Sequence, residues 1–169
     1  TTKDLIGVSF CDTNNGMIVG EDGIIINTTD GGQNWSIQII GTIYELFGVS
    51  FPDANNCWAV GYGGTILRTS NGGQSWNSQT SDTNFMLYGV SFSDANNGTV
   101  VGIGGIIIRT TDGGQNWIKQ TKGTFNTVLW DASFINSVIG TVVGDGGVIM
   151  RTTDGGENWI NTNPEPKYG

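Results

Sequence analysis

Histidine is missing from this chain altogether, and several other residue types are scarce. Without histidine, the commonest general base at neutral pH and a common metal ligand are gone. The two cysteines, Cys11 and Cys57, are too far apart for a CxxC motif, so no thiolate metal site is predicted. Charged side chains make up only 13% of residues, with 7 Lys plus Arg against 15 Asp plus Glu and a net charge of −8. A nucleic-acid binder carries a basic stripe, so no nucleic-acid partner is predicted, and an anionic membrane surface is equally unfavoured. No apolar run approaches the roughly 18 residues of a membrane-spanning helix, so no membrane insertion is predicted. The chain starts at Thr1 rather than Met and shows no leader, which reads as a processed or excised piece. A secreted, periplasmic or cell-surface location is the accompanying expectation.

What is present in quantity is glycine, at 28 residues, alongside 37% apolar and 10% aromatic side chains. That apolar share is enough to bury a core, so the low charge does not signal disorder. Abundant Gly and Asn with aromatic and β-branched residues suits short strands joined by tight turns.

The sequence repeats itself four times. Leu5-Ile6-Gly7-Val8-Ser9-Phe10 returns as Leu46-Phe47-Gly48-Val49-Ser50-Phe51, as Leu87-Tyr88-Gly89-Val90-Ser91-Phe92, and as Leu129-Trp130-Asp131-Ala132-Ser133-Phe134. The offsets are 41, 41 and 42 residues. A second landmark, Thr28 to Trp35, keeps the same phase at Thr69 to Trp76, Thr110 to Trp117 and Thr152 to Trp159. Each unit divides into four short strands, exemplified by Gly89–Phe92, Thr99–Gly102, Ile106–Thr110 and Trp117–Gln120. Nothing shows the 3.6-residue period of a helix. Four-stranded units of this length match one blade of a β-propeller, whose sheet faces are covered by neighbouring blades. The predicted fold is therefore all-β, a propeller of four antiparallel blades at residues 1–41, 42–82, 83–123 and 124–163, with 164–169 as a tail or linker.

The motif Ser/Thr-x-Asp-x-Gly-x-x-Trp resembles the Asp-box, or BNR repeat, of sialidases, sortilin-type receptors and xyloglucanases. The longer pattern, from Leu-x-Gly-Val-Ser-Phe through Arg-Thr-Thr-Asp-Gly-Gly-x-Asn-Trp, is most similar to the photosystem II assembly and stability factor family. The likeness covers residues 5 to 162. It implies a non-enzymatic binding scaffold, and relatives with more blades. The family's basic patch has no counterpart in so acidic a chain.

In the Asp-box, Asp30, Asp112 and Asp154 are expected to accept backbone N–H bonds within their own turn, with Asn71 keeping the acceptor in blade two. Trp35, Trp76, Trp117 and Trp159 are expected to pack between sheets. All eight are read as scaffold, because a residue needed once for chemistry would not recur in every blade. Site candidates are instead the positions that vary between blades. In the family's fold, the turns between second and third strands share one face with the links between blades. On that face lie Glu21, Asp22, Tyr62, Ile103 and Asp145 from the turns, with Tyr44, Glu45, Asp82, Phe85 and Phe125 from the links. Ile6, Phe47, Tyr88 and Trp130 sit near the start of each first strand. Of these, Glu21, Asp22, Tyr44, Tyr62, Tyr88, Trp130 and Asp145 are the candidate ligand-binding set.

Aromatics with carboxylates suit a glycan, through ring stacking and hydroxyl hydrogen bonds, and equally suit a protein partner. The same aromatics also suit plain packing between blades. A glycoside hydrolase, sialidase-like or a remnant of one, is a second reading and would need Glu21, Asp22 and Asp145 to converge. Arg68, Arg109 and Arg151 do not form a sialidase's arginine triad, since they hold one repeated position with Asn27 in the first blade. No catalytic residue, metal or cofactor is predicted. A structural, self-assembling protein is a third reading. The blades can close alone, pair two chains into an eight-bladed homodimer, or form part of a longer ring. Cys11 and Cys57 fall near one another in neighbouring blades, where a disulfide bridge is one option.

Overall fold

The computed structural model describes residues 1–38, 40–120 and 126–163. Phe125 and the 164–169 tail lie outside the described residues. The four repeats each form one antiparallel four-stranded sheet. The first comprises β1 (Leu5–Phe10), β2 (Gly16–Gly20), β3 (Ile25–Thr28) and β4 (Ser36–Gln38). The second has β5 (Leu46–Ser50), β6 (Cys57–Gly61), β7 (Ile66–Thr69) and β8 (Asn77–Gln79). The third has β9 (Leu87–Phe92), β10 (Gly98–Gly102), β11 (Ile107–Thr110) and β12 (Ile118–Lys119). The fourth has β13 (Leu129–Phe134), β14 (Gly140–Gly144), β15 (Ile149–Thr152) and β16 (Ile160–Asn161). Strand order follows the chain in every sheet, because each connection is a short turn.

The boundaries differ from the sequence reading in instructive ways. First strands begin at the leucine, two residues early, with a bulge between Leu and Gly in the first three sheets and between Leu129 and Asp131 in the fourth. Ile106 stands outside β11 because its N–H closes a single 3-10 turn back to the Ile103 carbonyl, at 3.4 Å. Trp117 likewise precedes β12 rather than opening it. Its ring instead meets Phe92 edge-on, at 6.0 Å and 88°, within its own blade.

Each sheet has two unlike faces. On one, Val90, Val100 and Ile108 align across β9, β10 and β11. On the other, Gly89, Val101 and Ile107 align. The second face of each blade packs on the first face of the next. Trp58, Val60 and Ile66 of blade two thus share a core with Val90, Val100 and Ile108 of blade three. Met17, Val19 and Ile25 meet Leu46, Ala59 and Leu67 in the same way, and Val101 with Ile107 meets Ala132, Val142 and Met150. Trp58 is fully buried, stacked on Phe92 at 3.6 Å and 9°.

Two features pin the blades edge to edge. The Ser9, Ser50 and Ser91 hydroxyls accept from the N–H of Phe51, Phe92 and Phe134 in the next blade, at 3.1, 2.9 and 3.0 Å. Beside each serine, Gly7, Gly48 and Gly89 allow the next blade's backbone to come close. A Cβ at Gly7 would lie 2.9 Å from the Phe47 carbonyl oxygen, and one at Gly89 would lie 2.7 Å from the Asp131 Cα. Glycine is needed here for space rather than for an unusual backbone angle.

The first and last blades do not cover one another. Val8, on the outward face of blade one, is 62% exposed, and Val143, on the outward face of blade four, is 41% exposed. Their counterparts Val90 and Val101 are 7% and 0% exposed. The four blades form an open arc, so closure by this chain alone is not what the structure adopts.

Candidate functional site: an aromatic row along the inner strands

The Asp-box turns hold together through their own side chains. Thr28 Oγ1 accepts from the Gly32 N–H at 2.9 Å and donates to Asp30 Oδ1 at 2.8 Å. Asp30 in turn accepts from the Asn34 N–H at 2.9 Å and from Asn34 Nδ2 at 2.7 Å. Thr110, Asp112 and Asn116 repeat the pattern, as do Thr152, Asp154 and Asn158. In blade two Asn71 does the same work through Ser75, accepting from its N–H at 3.0 Å. Donors from Asn34, Asn116 and Asn158 favour the ionised carboxylates and draw Asp30, Asp112 and Asp154 down to about 2. Their oxygens are thus occupied within the turn. The turns also dock on the loops between first and second strands: the N–H groups of Gly31, Gly72, Gly113 and Gly155 reach Asn14, Asn55, Asn96 and Val138 carbonyls at 2.8–2.9 Å.

Two of the arginines just before these turns, Arg68 and Arg109, also serve the scaffold. Arg109 Nη2 donates to the Ser137 carbonyl of the next blade at 2.8 Å. Arg68 lies over the Trp58 ring, 5.2 Å from its centroid.

The turns between second and third strands occupy the opposite face. The N–H groups of Glu21, Tyr62, Ile103 and Asp145 bond back to the links at Asp4, Glu45, Met86 and Val128, at 2.9–3.0 Å. Asp22 takes the left-handed conformation, φ 53°, where the other blades place Gly63, Gly104 and Gly146. Its carboxylate pairs with Lys3.

The candidate residues fall into separate groups. Tyr44 and Tyr62, both exposed, stack at 6.0 Å and 19°. Glu21 and Asp22 sit on blade one, where Glu21 Oε2 accepts from the Asp4 N–H at 3.1 Å. Asp145 sits on blade four and accepts from the Trp130 indole N–H at 2.6 Å. The acidic set proposed for a hydrolase is therefore split between blades that do not pack together, with Glu21 and Asp145 each engaged locally.

Tyr88 and Trp130 belong to a continuous row with Phe47. Ring centroids are 5.1 Å apart for Phe47–Tyr88 and 4.7 Å for Tyr88–Trp130. The spacing follows from the repeat: these residues hold one position on β5, β9 and β13, whose strands lie side by side around the inner edge of the arc. They line an open groove of about 490 Å³, completed at one end by Ile6 and at the other by Asp131. Asp131 was missed by the search for variable turn residues. Its signal was nonetheless in the repeat, as the one unit carrying Asp where the others carry Gly7, Gly48 and Gly89. Among the described residues no three Cys, Asp or Glu side chains gather as a metal ion would require. Cys11 and Cys57 pack in one cluster with both thiols free. Among the described residues no helix is long and apolar enough to cross a membrane.

Comparison with known proteins agrees with this geometry. A structure of YCF48 bound to D1 peptide matches with a TM-score of 0.79 and 25% identity, covering 99% of this chain and 55% of that one. YCF48 from Cyanidioschyzon merolae matches with a TM-score of 0.78 and 21% identity, covering 99% of this chain and 58% of that one. The chain thus spans a little over half the length of these YCF48 structures. The GH74 xyloglucanase from Xanthomonas campestris shares the fold, with a TM-score of 0.74, 14% identity and coverage of 97% and 31%. No curated protein matches the chain. The family model for photosynthesis system II assembly factor YCF48 matches residues 1–78 and 39–122. A match over most of the chain, joined to the repeated blade it describes, shows that this protein belongs to the YCF48 family of assembly factors.

Proposed function

We propose that this chain is a non-catalytic binding propeller that engages a protein partner, taken as an extended peptide along the Phe47–Tyr88–Trp130 row. The observation that carries this reading is the row itself: three rings in contact across three blades, open to solvent along one groove. Aromatic rings give large contact area at little cost in side-chain freedom, and they anchor many protein interfaces. Asp131 and Asp145 flank the row in a chain of net charge −8, which favours a peptide bearing Lys or Arg among apolar residues. The YCF48 structure bound to D1 peptide supports a peptide as the class of partner. A non-catalytic role is supported by the separation of Glu21 from Asp145 and by the structural use of every Asp-box carboxylate. The same reading keeps the working molecule outside the cytosol, secreted, periplasmic or surface-exposed.

The test is titration of the chain with D1 peptide, with a Lys/Arg-rich peptide library and with xyloglucan oligosaccharides, followed by Trp fluorescence. Peptide binding that disappears in Tyr88→Ala/Trp130→Ala is the expected result. Binding of xyloglucan with no response to any peptide would replace this reading with a glycan-binding one. Release of reducing sugar, lost in Glu21→Gln, would restore the hydrolase.

A further inference from the structure

Cys11 and Cys57 both depart from the repeat. The position of Cys11 is held in the other blades by Pro52, Ser93 and Ile135, and that of Cys57 by Gly16, Gly98 and Gly140. A Cβ on any of those glycines would run into the ring that faces it across the strand pair, Phe10, Phe92 or Phe134. Blade two alone accommodates a side chain there, and Cys57 is fully buried.

The two cysteines point into the same interface, between blades one and two. Side chains alternate along a strand, so Cys57 shares a face of β6 with Ala59, which packs on Met17, Val19 and Ile25 of blade one. Cys11 stands one residue past β1, where its N–H bonds to the Asn15 carbonyl at 3.1 Å and extends the pairing with β2. The alternation therefore carries on, and Cys11 points with Gly7 and Ser9 towards blade two. Ser9 sets the alignment of the two blades, since its hydroxyl accepts from the Phe51 N–H at 3.1 Å. Cys11 lies two residues beyond Ser9, and the repeat sets Cys57 opposite Phe51, as Gly16 is opposite Phe10. Both side chains accordingly pack in one apolar cluster. Burial, and after it the nearby Cys11, holds the Cys57 thiol well above its usual range. Cys11 keeps partial exposure to solvent, whereas Cys57 has none.

We propose that Cys11 and Cys57 form a disulfide that clamps blade one to blade two when the folded chain meets a small-molecule disulfide, with Cys11 as the point of entry and Cys57 as the resolving thiol. The Cys11 thiolate attacks one sulfur of the reagent, forming a mixed disulfide and releasing one thiol. Cys57 then gives up its proton and attacks the Cys11 sulfur, releasing the second thiol. Two cysteine thiols are oxidised, one small-molecule disulfide is reduced to two thiols, and the two protons pass to those thiols. The order follows from access, because a reagent reaches Cys11 and not the buried Cys57. The bridge closes the chain from residue 11 to residue 57 and so restricts the unfolded state.

The experiment exposes the whole folded chain to excess oxidised glutathione, then counts thiols, weighs the intact protein and measures its melting temperature. Wild type should lose both thiols, become lighter by two hydrogen atoms and melt roughly 5–15 °C higher, all reversed by dithiothreitol. Cys57→Gly, which copies the other three blades, should stop at the mixed disulfide and carry one glutathione. Cys11→Ser should carry none while folded. The inference is overturned if wild type keeps both thiols or stops at a glutathione adduct, if the bridge joins two chains, or if bridging leaves the melting temperature unchanged. It is equally overturned if Cys57→Gly takes up no glutathione or if Cys11→Ser reacts as fast as wild type.

Discussion

Replacing Gly89 by alanine tests the close-packed blade interface most directly. Gly89 lies in β9 with no positive φ, so the backbone itself accepts alanine. The added Cβ would stand 2.7 Å from Asp131 Cα, 3.0 Å from the Trp130 carbonyl oxygen and 3.0 Å from Val101 Cγ2. Carbon atoms rest at about 3.5 Å or more, so blades three and four must part by roughly 0.8 Å at this point. Overpacking of this kind costs about 1–3 kcal/mol, offset by about 0.4–1 kcal/mol from the less flexible unfolded chain. The net loss is about 1–2 kcal/mol, or a fall of roughly 2–8 °C in Tm for a chain of this size. Circular dichroism melting and urea titration read it. The contacts also set an order, with Gly48→Ala the most damaging and Gly7→Ala the least, since a Cβ at Gly7 finds its nearest atom at 2.9 Å. A Gly89→Ala protein as stable as wild type would refute the view that glycine is required here for space.

Three other outcomes follow from the packing and the turns. Trp58→Ala removes the fully buried ring stacked on Phe92 and should cost about 3–5 kcal/mol, measured by urea titration. Thr110→Val removes the hydroxyl that accepts from the Gly114 N–H at 2.8 Å, and leaving that donor unpaired should cost about 1–3 kcal/mol in the same assay. Asp30, Asp112 and Asp154 ionise at about 2 when folded and near 3.9 when unfolded, so their stabilisation is complete above about pH 4 and is lost as pH falls towards 2. Melting temperature should therefore be flat with respect to these groups above pH 5 and drop below pH 4. Asp154→Asn, which copies Asn71, should flatten that drop.

The blades were legible in the chain because each is built from local contacts. A Thr and an Asp two residues apart, closed by an Asn four further on, carry all their partners with them, so the turn needs no distant residue. Strand alternation and the repeat length then determine the sheets. Strand ends were less legible, because the 3-10 turn that removes Ile106 from β11 depends on one backbone hydrogen bond rather than on residue type. The family, too, could be read from the repeated pattern alone.

The site is another matter. Phe47, Tyr88 and Trp130 are 41 and 42 residues apart in the chain, and only the side-by-side packing of β5, β9 and β13 brings their rings into contact. The same packing separated residues that the sequence had grouped. Glu21 and Asp145 hold equivalent repeat positions, but they lie on the first and last blades of an arc that stays open. How closely neighbouring blades pack depended on the distance of approach that Gly7, Gly48 and Gly89 allow. Repetition in a sequence dictates the unit and the order of units; the contacts between units arise only when the sheets stack, and those contacts created both the groove and the free faces.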